Sequence, residues 1–407
     1  MALLADRVYG PFFFGNLVSN CGNWIHNVAA AVVVFELTDS AVAVGAVTAC
    51  LWAGALVLQP WAGALTDRFD RRRMLIAGQS VALVGALAVA LPTAIVGADD
   101  LPGPWPIYLG TLVIGIGGAF SIPAMQALIP ALVEERDLDR AIALNGITFN
   151  LARAIGPAIA GLILIEADAA LAFSVNVASF GVLLAVMAVI RPRFTREPSG
   201  GDRSVLAGLR WVRADRRAIV LLATMVAIGF ATDPINTLTP PMADAVGGGE
   251  GLVGLMVSAF GGGAVFAAFF VERIRERIGR ERAASTGLAT LAAAIGAFAF
   301  SEVPAYAVAT LALAGAGFIV AITSVTAQLQ ERVPDRLRGR VMALWGVAFL
   351  GTRPLSAPID GTIADLVSVP AAALAMGLAA LVAALMQGRE AERPAARRPP
   401  ELAGTEY

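Results

Sequence analysis

Two apolar runs, Ala41 to Leu65 and Met74 to Val96, are parted only by a charged hairpin inside the stretch GALTDRFDRRRML, Gly63 to Leu75. Each run is about 20 residues or longer, enough to cross a hydrocarbon layer as a helix. A hairpin between two such runs is a loop between two spanning helices, and that rules out an ordinary soluble fold. Composition agrees, with 57% apolar and 15% charged residues, where soluble domains carry about 25% charged. Inside lipid every backbone polar group must be satisfied within its own segment or a closed barrel, so long apolar runs of this kind predict an all-α membrane protein.

The arginines then count the spans. Turns at 68–73, 134–140, 191–217, 273–282 and 332–340 hold nearly all of them, together with both tails. The loops between, near 36–40, 97–106, 166–168, 242–250, 301–304 and 365–370, contain acids and no arginine. This alternation follows the positive-inside rule and predicts twelve helices with both termini in the cytoplasm. The first apolar run is longer than a signal-peptide core and continues into the polytopic pattern, so no cleavable signal is expected. Every basic residue except His26 is an arginine, which points to a GC-rich, bacterial source. Cys21 and Cys50 fall inside predicted spans and read as small apolar filler.

The second half repeats the first. Arg140 to Gly146, RAIALNG, aligns with Arg340 to Gly346, RVMALWG, and Arg153 aligns with Arg353 at the same offset. Two pseudo-symmetric six-helix bundles are therefore expected, residues 1–190 and 218–388. A linker at 191–217 joins them, amphipathic in its second part and set to lie on the inner leaflet, and a disordered tail follows at 389–407.

Polar residues inside spans are costly and mark function or specific packing. Asn16, Asn20, Asn23 and Asn27 recur along one face of the first helix, with His26 close to the same stripe. The stripe suits either helix-to-helix hydrogen bonding or the lining of a substrate or proton path, and His26 is a shuttle candidate by its reference pKa near 6.5. Arg153 and Arg353 each lie about 13 residues into a predicted helix, or about 20 Å from its end, near the bilayer centre. Asp233 sits at comparable depth with Asn236 one turn on, whereas Asp360 is placed nearer the outer surface. Asp233 is open to two roles, a structural ion pair with an arginine or a proton-exchanging acid. The candidate pathway comprises Asn20, Asn23, His26, Asn27, Arg153, Asp233, Asn236 and Arg353.

The hairpin Gly63-x-Leu65-x-Asp67-Arg68-x-x-Arg71-Arg72-Arg73 resembles the signature of the major facilitator superfamily between its second and third helices, with Asp70 where glycine is commoner. Gly156-Pro157-Ala-Ile-Ala-Gly161 is similar to the helix-bend motif of exporters in that superfamily. The runs Ser121 to Gln126, Arg153 to Pro157 and Asn176 to Phe180 resemble the branch containing the enterobactin exporter and macrolide efflux proteins. One departure stands out, since helix 4 lacks the arginine common in drug–proton antiporters. The resemblance implies alternating access, with Asp67, Arg68 and Arg71 to Arg73 latching the cytoplasmic side, and export driven by a proton gradient. An importer or uniporter of the same fold, or a non-transporting receptor, are the alternatives.

No phosphate-binding loop of the Gly-x-x-x-x-Gly-Lys-Ser/Thr type occurs, so ATP hydrolysis is not expected. With one histidine and two cysteines in predicted spans, neither a transition-metal site nor another cofactor is expected. Arginines at the membrane surface do not make a nucleic-acid site. The chain reads as a transporter, not an enzyme, working as a monomer in the plasma membrane with lipid and a small molecule as its partners.

Overall fold

The computed structural model describes residues 2–192, 205–334 and 337–391. The chain runs through α1 (Tyr9–Thr38), α2 (Ala41–Arg68), α3 (Arg71–Val96), α4 (Trp105–Leu132), α5 (Leu138–Glu166) and α6 (Ala169–Val189). A short α7 (Val205–Ala214) leads into α8 (Arg216–Ala231), α9 (Pro234–Thr237), α10 (Thr239–Ala245), α11 (Gly249–Ala268) and α12 (Val271–Ile278). The chain then forms α13 (Arg280–Phe298), α14 (Pro304–Arg332), α15 (Arg338–Leu350), α16 (Arg353–Leu366) and α17 (Val369–Ala391). Taking α8 to α10 as one broken span and α15 with α16 as another, and leaving aside the short α7 and α12, these make twelve spans in two halves of six. Linker residues 193–204 and the tail from 392 onward lie outside the described residues.

Internal duplication is visible in the packing. In the first half α3 lies on α4, α4 on α2, and α1 on α5 and α6; in the second, α13 lies on α14, α14 on α11, and α8 on α15 and α17. Small residues permit this closeness, as expected where helices associate by van der Waals packing in lipid. A methyl added at Gly117 would stand 2.5 Å from the Gly78 carbonyl oxygen, and one at Gly317 would stand 2.7 Å from that of Gly287. Large apolar side chains such as Val84, Leu109, Leu162 and Leu385 are more than half exposed and form the lipid-facing surface.

Helix ends follow local chemistry. Asp70 caps α3 by accepting from the Arg73 N–H at 2.8 Å, which accounts for an acid at that position of the hairpin. Asp215 caps α8 through the Arg217 N–H and also meets Arg332 Nε at 2.5 Å, joining α8 to α14 at the arginine-rich face. The linker helix α7 packs on α15 and α8, and Gly208 lies directly against Arg340.

The sequence pattern treats the seventh and eleventh spans as continuous. Both are interrupted, and each interruption has a covalent cause. Pro234 cannot donate a hydrogen bond, so the Phe230 carbonyl takes the Asp233 N–H instead and the chain restarts as α9. In the eleventh span Gly351 and Pro354 replace Leu151 and Ala154 of the first half, and the helix parts between Leu350 and Arg353. The matching α5 runs unbroken from Leu138 to Glu166, Pro157 included.

Candidate functional site

A cavity of about 700 Å³ lies between the halves. Its wall carries Asn20, Asn23 and Asn27 from α1, Trp52 from α2, Arg153 from α5, Asn236 from α9, Phe318 from α14 and Arg353 from α16. Lining residues continue to Arg275, Gln330 and Trp345 at the arginine-rich side.

Two helix pairs close the opposite, acid-rich side. Along α5 and α11, a methyl on Gly161 would lie 2.9 Å from the Gly251 carbonyl oxygen, one on Gly261 would lie 2.5 Å from that of Arg153, and Gly254 abuts the Pro157 carbonyl. Ser258 donates across the same seam to the Ala154 carbonyl. Along α2 and α16, Gly45 meets the Ala357 carbonyl, and a methyl on Gly361 would fall 2.5 Å from Ala41 and Val42 backbone atoms. Both seams run from the acid-rich ends of their helices to the level of the two arginines.

One carboxylate completes the closure. Asp365, at the end of α16, accepts from Ser40 Oγ at 2.6 Å and from the backbone N–H groups of Ala41 and Val42 at 2.7 and 3.1 Å. It thereby satisfies the unpaired donors at the start of a helix from the other half. Losing such a cap costs about 0.5–2 kcal/mol. Asp365→Ala is therefore expected to shift the balance about 2- to 30-fold toward opening on this face. The check is the labelling rate of a cavity cysteine by a membrane-impermeant maleimide, and an unchanged rate would remove Asp365 from the closure.

The arginines are held by aromatic faces. Arg153 has its guanidinium carbon 4.3 Å from the Phe260 ring centre, 4.9 Å from Phe318 and 5.5 Å from Trp24. Two of those rings belong to the other half, so Arg153 reaches across the molecule. Arg353 lies 5.4 Å from the Trp52 ring and 5.6 Å from Phe349. Both are buried, and the Nε of each lacks a hydrogen-bond partner. Ring faces stabilise a cation without neutralising it, so Arg153 offers its positive charge to a ligand, whereas Arg353 also faces Asp233.

The asparagine stripe divides. Asn16 donates to Asn145 at 2.9 Å and to Thr148 at 3.3 Å, and Asn20 donates to Asn16 at 2.9 Å, so this end ties α1 to α5. Asn20, Asn23 and Asn27 also reach the cavity. The structure places His26 elsewhere: its Nε2 pairs with Thr111 Oγ1 at 3.0 Å and its ring packs edge-on against Phe173. At 3.6 residues per turn, His26 stands about 90° from the mean direction of the four asparagines. That rotation turns it toward α4 and away from the cavity wall.

Asp233 is fully buried in the break before α9 and does not line the cavity; neither of its carboxylate oxygens has a hydrogen-bond partner. It lies within electrostatic reach of Arg353, whereas the charge felt by Arg153 is that of Arg353. Gly156 packs on α1, where a methyl would lie 2.6 Å from the Trp24 Cβ, while Pro157 and Gly161 form part of the seam with α11.

In the hairpin, Arg71 donates to the Ala127 carbonyl at 3.0 Å, and Arg72 donates to the Met187, Ala188 and Ile190 carbonyls at 2.9–3.0 Å. These bonds cap α6 and brace α4 within the first half. Arg73 is exposed. Gly63, Asp67 and Arg68 belong to the last turns of α2, but their side chains lie outside the described residues.

A family profile described as transmembrane secretion effector matches residues 1–398. The enterobactin exporter EntS of Escherichia coli O1:K1 is 24% identical over 393 residues, covering 93% of this chain and 91% of that protein. Among solved structures, the nucleoside transporter NupG superposes with a TM-score of 0.76 at 12% identity, covering 93% of this chain and 98% of that one. A bacterial homologue of the lysosomal transporter Spinster superposes at 0.75, also at 12% identity, covering 92% and 95%.

Proposed function

Because the chain belongs to the transmembrane secretion effector family of the major facilitator superfamily, we propose that it is a secondary active exporter. On this reading it moves a small amphipathic molecule of the siderophore, macrolide or drug type, by alternating access, in exchange for protons. The observation that carries the reading is the cavity itself, closed on the acid-rich face and lined by two ring-bound guanidiniums, amides and aromatic surface. Rings and apolar wall suit the hydrophobic part of such a molecule, and amides and guanidiniums suit its carbonyl, phenolate or carboxylate oxygens. The similarity to a protein named an enterobactin exporter supports the same class.

The arginine-rich face is the cytoplasmic one by the positive-inside rule. The protein then sits in the plasma membrane of a bacterium, as a monomer, with both termini inside, and the structure is its inward-facing state. Among the described residues Arg71 and Arg72 bond within the first half in this state. After closure on that side, Asp67, Arg68 and the arginine cluster would meet the other half. Asp233, buried behind Arg353, is the acid that exchanges the proton.

The test is transport in proteoliposomes under an imposed pH gradient, with internal pH recorded while a catecholate siderophore or a macrolide is added. Substrate-dependent proton movement that is lost in Asp233→Asn is the expected result. Substrate movement without proton movement would replace exchange by uniport, and accumulation in the same direction as the protons would replace export by import.

A further inference from the structure

Asp360 is the one intramembrane carboxylate that the pathway described above leaves unused. It is fully buried on α16, and neither of its oxygens has a hydrogen-bond partner. Seven residues separate it from Arg353, two helical turns, so both lie on the same face of α16. That helix packs on α9 and α8, whose junction carries Asp233, and the Asp360 carboxylate lies within electrostatic reach of Asp233. Asp233 in turn feels Arg353. Two further polar groups on α9, Thr237 Oγ1 and Asn236 Nδ2, are likewise buried without partners. Among the described residues the opposite charge in reach of Asp233 is that of Arg353, and Arg153 faces Arg353 rather than either carboxylate. Of the other elements on α9, α1 offers His26, turned toward α4, and Glu36 near its acid-rich end, α10 offers Asp244 near its end, and α11 offers Glu250 at its start. Between its ends α2 offers only Cys50, α17 has nothing ionisable before Arg389, α8 carries only Arg216 and Arg217 at its far end, and α15 only Arg338 and Arg340 at its start.

Charge counting decides what such a compartment holds. Two carboxylates with one guanidinium in direct reach leave an excess negative charge on buried groups, and like charges in one buried site cannot both stay ionised. The first half makes the contrast. At the offset of 200, Ala160 stands where Asp360 stands, and Arg153 is held by rings with no acid beside it. We propose that Asp233 and Asp360 together form a site that binds one proton in the field of Arg353. The proton-exchange reading above enters only in what this proton is used for. Asn236 and Arg353 also line the cavity, so its contents reach the pair through them. An anion seated on Arg353 strengthens the proton's hold, and a cation near Asp233 weakens it.

The test is infrared spectroscopy of the full-length protein in lipid, following the carbonyl stretch of protonated carboxyls with aspartate carbon isotopically labelled. The label separates this pair from Glu36 and Glu250, which approach one another near the acid-rich face. Wild-type protein at neutral pH is expected to show one protonated buried aspartate. Asp360→Asn is expected to lose that band, because Asp233 and Arg353 then balance, and Arg353→Gln to double it. Absence of the band in wild type, its survival in Asp360→Asn, or its loss when sodium replaces choline in the buffer would each overturn the site. These spectra need neither substrate nor gradient. A protein that keeps the band yet moves no protons with substrate would refute proton-driven export and leave the site standing.

Discussion

Arg153→Ala is expected to reduce transport about 100-fold. The residue carries a buried charge with no acid in contact, held by Phe260 and Phe318 of the other half and by Trp24 of its own. Its removal takes away a charge-assisted partner for the substrate, worth about 1.5–3 kcal/mol, and a ring contact between the halves worth about 0.5–2 kcal/mol. The sum corresponds to roughly one and a half to three and a half decades, with the lower part expected because the two losses share one side chain. Arg153→Lys keeps the charge but loses the planar fork that stacks on rings and pairs two oxygens at once, so it restores only part of the rate. Initial rates in proteoliposomes, with substrate affinity measured separately, check both. Near-wild-type rates in Arg153→Ala would make the residue a packing element without a part in transport.

The second large effect is expected at the seam. Gly254 touches the Pro157 carbonyl and Gly161, both backbone, so nothing there can rotate away from an added methyl. Gly254→Ala must therefore separate α5 from α11, at the cost of overpacking, about 1–3 kcal/mol. The population closed on the acid-rich face should fall about 5- to 160-fold. A cysteine at position 236, in a background free of Cys21 and Cys50, should then label more readily from that face, and transport should drop. Gly262→Ala on the same helix is the control, because a methyl there meets no atom within 4 Å. Equal behaviour of the two variants would show that the seam does not govern access.

Much of this architecture could be read before any coordinates. Arginine placement gave the number of spans, since the cost of moving charge across lipid acts on every loop alike. The offset of 200 residues identified Arg153 and Arg353 as partners, and both face the cavity. The failures share a cause, the use of helical spacing as though it fixed direction and continuity. His26 was grouped with a stripe it leaves by a quarter turn. Nine helices pass a length-and-hydropathy test for spanning among the described residues. The three spans it passes over are α1 with its amides, α13 with its charged start, and the broken α15 with α16. Asp360 does lie nearer the outer surface than Arg353, two turns further along α16, but its complete burial against the broken seventh span follows from which helices meet and not from depth. Its shared face with Arg353 was legible all along. The glycine seams and the Asp365 cap depend on which helices meet across the halves, and no local pattern carries that information.

The two interrupted spans and both intramembrane acids lie in the second half alone. Imagine a gene that encoded the first half twice, joined by the same linker. Its product would keep the helix neighbours, the small-residue contacts and a guanidinium on either side of the cavity. It would have no break like those of the seventh and eleventh spans and neither of the carboxylates Asp233 and Asp360. The shared repeat therefore accounts for a vessel, and on the proposed reading the means of driving it belong to the copy that diverged.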